Sequence, residues 1–216
     1  MNRAFVRTLD NPSLPRILLI EMPPRCGKTE FWSKWAASWF LGTYPDRRLI
    51  MTTHGSRFAK KYGREVRNIL AQTGEGYFGL TLRRDNRSAS EWSIEGRDGS
   101  MVSVGAGADI IGRGSDCLIA DDVTRNYAAA KSAVQRENIW DWWHSVITTR
   151  MQPNGIIVVI STRWHEEDLS GRLLKEAKEG SGRPVTRLRF PALAEDGDIL
   201  GRQPGESLWP SMWSVK

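Results

Sequence analysis

The sequence predicts an α/β protein with a mainly parallel central sheet and helices on both faces. Three observations carry this. Apolar runs of strand length alternate along the chain with segments of helical periodicity, an order that specifies parallel strands joined by helical crossovers. The first run, Ile17-Leu18-Leu19-Ile20, passes through Glu21-Met22-Pro23-Pro24-Arg25-Cys26 into Gly27-Lys28-Thr29 and a helical pattern. A later run, Leu118-Ile119-Ala120, ends in Asp121-Asp122.

Residues 1–15 are polar, contain Pro12 and Pro15, and read as a leading segment. Arg16–Glu21 is the first strand. Glu30–Leu41 follows as a helix with Phe31, Trp35 and Ser38 or Trp39 recurring on one side. Arg48–Thr53 is a second strand. Ser56 is placed to cap a helix running to about Leu70, with Phe58, Tyr62, Val66 and Ile69 on one face. Gly74–Gly79 reads as a loop. The alternation across Thr81–Gly107 predicts antiparallel strands at Ala89–Ile94 and Ser100–Val104. Cys117–Val123 is a buried strand, Ala128–Thr149 a long helix, Gly155–Ser161 the most apolar strand, Glu166–Lys178 a helix and Val185–Phe190 the last strand. After Phe190 the chain is rich in Gly, Pro and acid, so 191–216 reads as a C-terminal tail that places Glu195, Asp196 and Asp198 in a flexible loop. No repeat or linker divides the 216 residues, and one domain is expected.

Forty per cent hydrophobic and 26% charged residues describe a globular chain with enough apolar material for a core. A net charge of +6 favours a polyanionic partner. With two cysteines, Cys26 and Cys117, the chain is no disulfide scaffold, and a reduced, cytosolic setting fits it. No apolar run approaches the roughly 20 residues that span a bilayer, so no membrane is expected.

A strand running into a tight turn, Gly-Lys-Thr and a helix is the context of a phosphate-binding P-loop. N–H groups of the turn and the positive helix end would face nucleotide phosphates. That assigns the nucleotide cradle to Pro24, Arg25, Cys26, Gly27, Lys28, Thr29 and Glu30. Lys28 supplies a mobile charge and the Thr29 hydroxyl a Mg²⁺ ligand. Arg25 is a second cation in the same loop. Met22 stands where the usual motif has its first Gly. Asp121, closing an apolar strand, would hold the Mg²⁺ shell, and Asp122 would orient or deprotonate the attacking water. Ser161, Thr162 and Arg163 end another strand of the same sheet and are placed to sense the γ-phosphate. Together these features predict a P-loop NTPase of the ASCE or RecA-like type, taking ATP and Mg²⁺.

At these three blocks, and at Gly201-Arg202-Gln203-Pro204-Gly205-Glu206-Ser207-Leu208-Trp209-Pro210, the chain resembles the ATPase domain of the large terminase subunit of tailed bacteriophages. The resemblance runs from about Arg16 to Trp213, and its Pro-Pro-Arg P-loop and Thr162-Arg163-Trp164-His165 are the specific parts. It implies an ATP-driven motor that moves double-stranded DNA into a capsid from the host cytoplasm. The implied partners are a portal protein, a small terminase subunit and further copies in a ring. It implies Lys28 and Thr29 as phosphate and metal contacts, Asp121 as the Walker B acid, Ser161–Arg163 as the coupling motif, and Arg113, between Gly112 and Gly114, as a finger entering a neighbour's site. Many relatives have Glu where this chain has Asp122. The family also carries a C-terminal nuclease domain, and no nuclease activity is expected of these residues.

Other signals weigh less. His165 with Glu166, Glu167 and Asp168 lacks a zinc pattern and reads as an acidic helix start. Trp140, Trp142 and Trp143 read as core. Arg57, Lys60, Lys61, Arg64 and Arg67, and separately Arg83, Arg84 and Arg87, are either solvated surface or contacts to DNA phosphates. Two other functions compete with the motor: a DNA-stimulated helicase-like translocase, and a nucleotide-binding domain with little turnover.

Overall fold

In the computed structural model, residues 17–110, 112 and 114–213 are described, with the side chain of Arg87 excepted. The leading segment and Arg113 therefore lie outside the described residues. Eight strands form one sheet in the order β3-β4-β5-β2-β6-β7-β1-β8. Its parallel part comprises β1 (Ile17–Glu21), β2 (Arg48–Thr53), β5 (Ser100–Gly105), β6 (Ser115–Asp121), β7 (Met151–Ser161) and β8 (Val185–Arg189). β3 (Leu82–Arg87) and β4 (Glu91–Ile94) add an antiparallel edge.

Alternate residues of the central strands feed two cores. On one face Leu18, Ile20, Met51, Ile119 and Val158 meet α1, a π-helical stretch Glu30–Ala36 continued by Ala37–Thr43, and α2 (Ser56–Phe78). The short α3 (Tyr127–Lys131) precedes α4, which runs as Ala133–Trp142 and continues through a π-turn Trp143–Ile147 and Thr148–Arg150. On the other face Leu19, Ile50, Leu118 and Val159 meet α4 and α5 (Leu169–Glu179). The buried central strands carry apolar residues on both sides, as a sheet covered by helices requires.

Several elements depart from the sequence expectation. The inward face of α1 is Trp32, Ser33, Ala37, Phe40 and Leu41, while Phe31 and Trp35 are exposed. A π-helix has a wider turn than an α-helix, so Trp32 and Ala37, five apart, share the core side. In α2 the buried residues are Ala59, Gly63, Val66, Leu70 and Gly74; of the expected face Val66 is buried, while Tyr62 and Ile69 are half-buried and Phe58 is exposed. Phe58 instead stacks on His54 at the surface, with ring centroids 4.8 Å apart. Ser56 does not cap; Gly55 holds that position without a side-chain bond. The helix also runs through Gly74 and Gly76. It ends at Gly79, whose φ of 64° admits the left-handed cap, with Leu80 N–H reaching the Gly74 carbonyl at 3.2 Å. The helix expected across Ala128–Thr149 is broken at Ser132, which also caps α4 by accepting from Gln135 N–H. β3 lies outside the sequence expectation. Its Leu-Arg-Arg-Asp-Asn-Arg sequence has no apolar alternation, and its charge is what guards a sheet edge.

Gly63 shows why small residues face the sheet. A Cβ there would overlap Ser103 Oγ and lie 2.7 Å from the Ala89 carbonyl oxygen, and the same turn accepts Trp92 Nε1–H at 3.0 Å. Gly→Ala inside a helix ordinarily stabilises by about 0.5–1 kcal/mol. Here Gly63→Ala is expected to destabilise by about 1–3 kcal/mol, because the added methyl overpacks the helix–sheet interface. Urea unfolding that shows the variant as stable as wild type would contradict this packing.

Candidate functional site

The strand register brings the chemistry to one end of the sheet. Glu21 lies opposite Ser161, and Asp121 lies opposite Thr53 and Ile160. At β1 the chain leaves for β2 over one face, through α1. At β7 it crosses back over β1 to β8 by the other face, through α5. Such a divergence opens a crevice at the carboxyl ends of the strands.

The loop after β1 turns through Arg25 at φ 60° and Gly27 at φ 80°. The N–H groups of Arg25 and Gly27 make none of the turn or loop bonds to backbone carbonyls found among the described residues, which leaves them available to an anion. The first helical bond is Phe31 N–H to the Gly27 carbonyl, at 3.0 Å. Pro24, Arg25 and Glu30 are exposed, and Cys26, Gly27 and Thr29 are half-buried. Burial raises the Cys26 thiol above its ordinary range, and the Lys28 charge opposes that rise. The thiol is therefore a poor nucleophile at neutral pH.

Lys28 is buried and its Nζ lies 2.7 Å from Asp122 Oδ2 while also donating to Thr162 Oγ1. Asp122 in turn accepts from Thr162 N–H at 2.7 Å through Oδ1 and from Thr162 Oγ1 at 3.3 Å through Oδ2. Asp122 has φ 45°; with Arg25 it is one of only two non-glycine positive-φ residues among those described. Both strained positions fall in this site, the usual place for such strain. Ser161 contributes backbone to the sheet end, its carbonyl accepting from Met22 N–H at 3.2 Å. Arg163 is held by Glu21 Oε1 at 2.6 Å and Asp168 Oδ2 at 3.0 Å.

Asp121 is buried. Its Oδ2 accepts from Ser33 Oγ at 2.7 Å, and the Thr29 hydroxyl is near enough to favour its charged form. Its Oδ1 has no partner among the described residues. An unpaired buried carboxylate oxygen beside a threonine hydroxyl is the donor set that a hard cation takes, so Thr29 and Asp121 fit Mg²⁺. Among the described residues no three His, Cys, Asp or Glu side chains cluster for a metal. The remaining ligands would be phosphate oxygens and water, as is usual for this ion. His165 Nδ1 accepts from Glu167 N–H at 3.0 Å, and Asp168 caps α5 through Gly171 N–H at 3.0 Å. This agrees with the helix-start reading, though the helix begins at Leu169 rather than Glu166.

Three contributors were missed by the sequence reading. Ser33, four residues beyond Thr29 on α1, shares its face; the i, i+4 spacing of two hydroxyls was the available signal. Glu21 ends an apolar strand just as Asp121 does. Trp209 folds back from the tail and would touch a Gly27 Cβ at 4.0 Å. The tail is held by a Leu193–Ser207 bridge and a Leu208 N–H to Ala192 carbonyl bond of 2.8 Å. Asp198 pairs with Arg202 at 2.6 Å and Glu195 with Arg189 at 2.5 Å, so these two acids sit in an ordered, paired turn rather than a flexible loop.

Fold and site together define a P-loop NTPase-type α/β protein. The sequence model for the N-terminal part of the T4likevirus-type terminase large subunit matches residues 19–209, and the chain belongs to that family. Among solved structures it is similar to the large terminase of a thermophilic bacteriophage. Crystal form 2 of that protein aligns with a TM-score of 0.52 at 14% identity, covering 92% of this chain and 46% of that one. Its ADP complex gives 0.54 at 14% identity, covering 86% and 44%; its ATP-γ-S complex gives 0.52 at 14%, covering 86% and 43%. The chain thus spans less than half the length of these relatives. No curated protein matches it. No described helix is long and apolar enough to cross a membrane.

Burial, with the neighbouring Asp122 charge, pushes Asp121 up to about 6, against the Ser33 and Thr29 hydroxyls and Lys28. Because the folded value is raised, the fold favours the neutral acid. The stability this gives is complete below about pH 4 and is lost as pH rises through about 6. In chelator, wild type should therefore lose on the order of 2 kcal/mol relative to Asp121→Asn between pH 4 and 7. A thermal-stability difference that stays flat across that range would refute the assignment.

Proposed function

We propose that this chain hydrolyses ATP as the motor part of a viral terminase and couples hydrolysis to movement of double-stranded DNA. The observation that carries the reading is the meeting of Lys28, Asp122 and Thr162 beside the Thr29–Asp121 pair. One cation is aimed into the phosphate loop, one carboxylate has an unused oxygen for a metal, and a second carboxylate lies within reach of both. Mg²⁺ held by Thr29 and Asp121 would neutralise developing phosphate charge. Lys28 exchanges the Asp122 carboxylate for β- and γ-phosphate oxygens. Asp122 Oδ2, released from Lys28, is then free to orient the attacking water and accept its proton. Thr162, bonded to both, registers the exchange. Arg25 adds charge at the loop mouth, and Arg113 is assigned to a neighbour's site.

For DNA, α2 is the favoured surface. Arg57, Lys60 and Arg64 are exposed on it without an ion-pair partner among the described residues, and Glu65 is occupied by Lys34 at 2.8 Å. Three unpaired cations along two helical turns suit phosphates and read no base. Arg83 is already paired with Asp85 at 2.7 Å. Portal, small subunit and sister copies are the further partners, in the host cytoplasm.

Steady-state ATP hydrolysis with and without double-stranded DNA tests this. Hydrolysis should be stimulated by DNA and vanish in Lys28→Ala. Asp122→Asn should bind ATP-γ-S yet turn over ~10²–10⁴-fold more slowly. Absence of Lys28-dependent hydrolysis under any condition would leave a nucleotide-binding domain without turnover.

A further inference from the structure

Glu21 ends the strand that carries the phosphate loop, and its side chain is only 3% exposed. Both carboxylate oxygens are in use. Oε1 accepts from Arg163 Nη1 at 2.6 Å, and Oε2 accepts from Arg187 Nε at 2.6 Å. Arg163 is also bound by Asp168, the α5 cap, and its Nη2 donates to the His165 carbonyl at 3.2 Å. Asp168 Oδ2 additionally accepts from Trp164 N–H at 3.3 Å. Immediately before Arg163 stands Thr162, which binds both Lys28 and Asp122. A single buried carboxylate thus ties the segment just after β7 and the middle of β8 to the end of β1, one residue from the group that touches the Lys28–Asp122 pair.

We propose that Glu21 is a positioning residue for hydrolysis. Through Arg163 it sets where Thr162 stands against Lys28 and Asp122, and it links displacement of Thr162 to the N-terminus of α5. The inference rests on the ATPase reading and extends it to a residue outside the phosphate loop. A buried ion pair is weak evidence for stability as such, since desolvation offsets much of the attraction. The surroundings also give each arginine an alternative. Arg187 is 42% exposed and can turn to water, and Arg163 keeps Asp168 and a carbonyl. Replacing Glu21 with the isosteric amide therefore leaves a folded sheet and removes the charge that ties β1 to β7. A cavity of about 330 Å³, lined by Glu21, Pro23, Thr162, Arg163 and Trp164 among others, borders the contact. It gives the end of β7 room to shift once the tie is loosened.

The test compares wild type, Glu21→Gln, Arg163→Gln and the double variant by kinetics and amide hydrogen exchange. In Glu21→Gln, kcat should fall on the order of tenfold or more with KM for ATP within about twofold, because a misplaced group costs turnover rather than binding. The Thr162 amide, bonded to Asp122, should exchange on the order of tenfold faster, while amides of β2 and β6 keep wild-type protection. The double variant should be no worse than Arg163→Gln alone, as expected for two residues acting through one contact. Uniformly raised exchange across the sheet would mark Glu21 as a stability residue and overturn the proposal. Unchanged exchange at Thr162 would do the same. Should wild type show no Lys28-dependent hydrolysis, the ATPase reading fails, and Thr162 exchange alone decides the positioning role.

Discussion

The site depends on a single ammonium group shared between two strands. Lys28 leaves the phosphate loop after β1, and its partners Asp122 and Thr162 follow β6 and β7. The three meet only because β1, β7 and β6 are adjacent and in parallel register. A shift of one residue in either pairing would move the acids to the opposite faces of the sheet and separate the unpaired Asp121 Oδ1 from Thr29. Sheet register is therefore the first requirement of this site. The apolar residues on both faces of the strands enforce it more strongly than any polar contact in the site.

Charge follows a division of labour on the same scaffold. Several surface cations are neutralised locally: Arg47 by Asp116, Arg136 by Glu167, Arg172 by Glu137, Arg189 by Glu195. Exposed pairs of this kind contribute little stability, but they remove those cations as sites for a polyanion. Arg57, Lys60 and Arg64, along the first turns of α2, have no such acid among the described residues. That helix starts shortly beyond the carboxyl end of β2, on the edge that holds the phosphate loop. On the proposed function, nucleotide and DNA backbone would be met from neighbouring parts of one sheet edge.

Much of this was legible in the sequence, for identifiable reasons. Strands buried on both faces leave long apolar runs, so β1, β2, β6 and β7 were found within a residue or two at the ends that matter. The acids closing β6 and the Gly-Lys-Thr closing the loop were visible because an apolar strand seldom ends in such groups unless they meet a ligand or a partner. What escaped depends on geometry that periodicity does not encode. The π-helical stretch of α1 rotated its core face away from Phe31 and Trp35. Gly74 has the look of a helix breaker, yet it lies inside α2, where it lets Leu80 pack close. β3 carries no apolar alternation because an edge strand is specified by its neighbour. Glu21 and Asp168 read as a strand end and an acidic helix start, and only the fold shows them converging on Arg163.

That convergence bears on how a loop with Met22-Pro23-Pro24 in place of a glycine would act in the proposed hydrolysis. Two prolines fix φ and remove two N–H donors, so the first part of the loop is stiff and cannot itself yield when phosphate contacts change. Movement has to be taken up elsewhere. The side chain of Thr162 is the only hydroxyl that the described structure places on both Lys28 and Asp122, and its neighbour Arg163 is bound to β1 on one side and the α5 cap on the other. On the proposed reading, a rigid phosphate loop facing a strand end that is cross-linked to a helix would deliver a change at the phosphates to α5 rather than dissipate it within the loop.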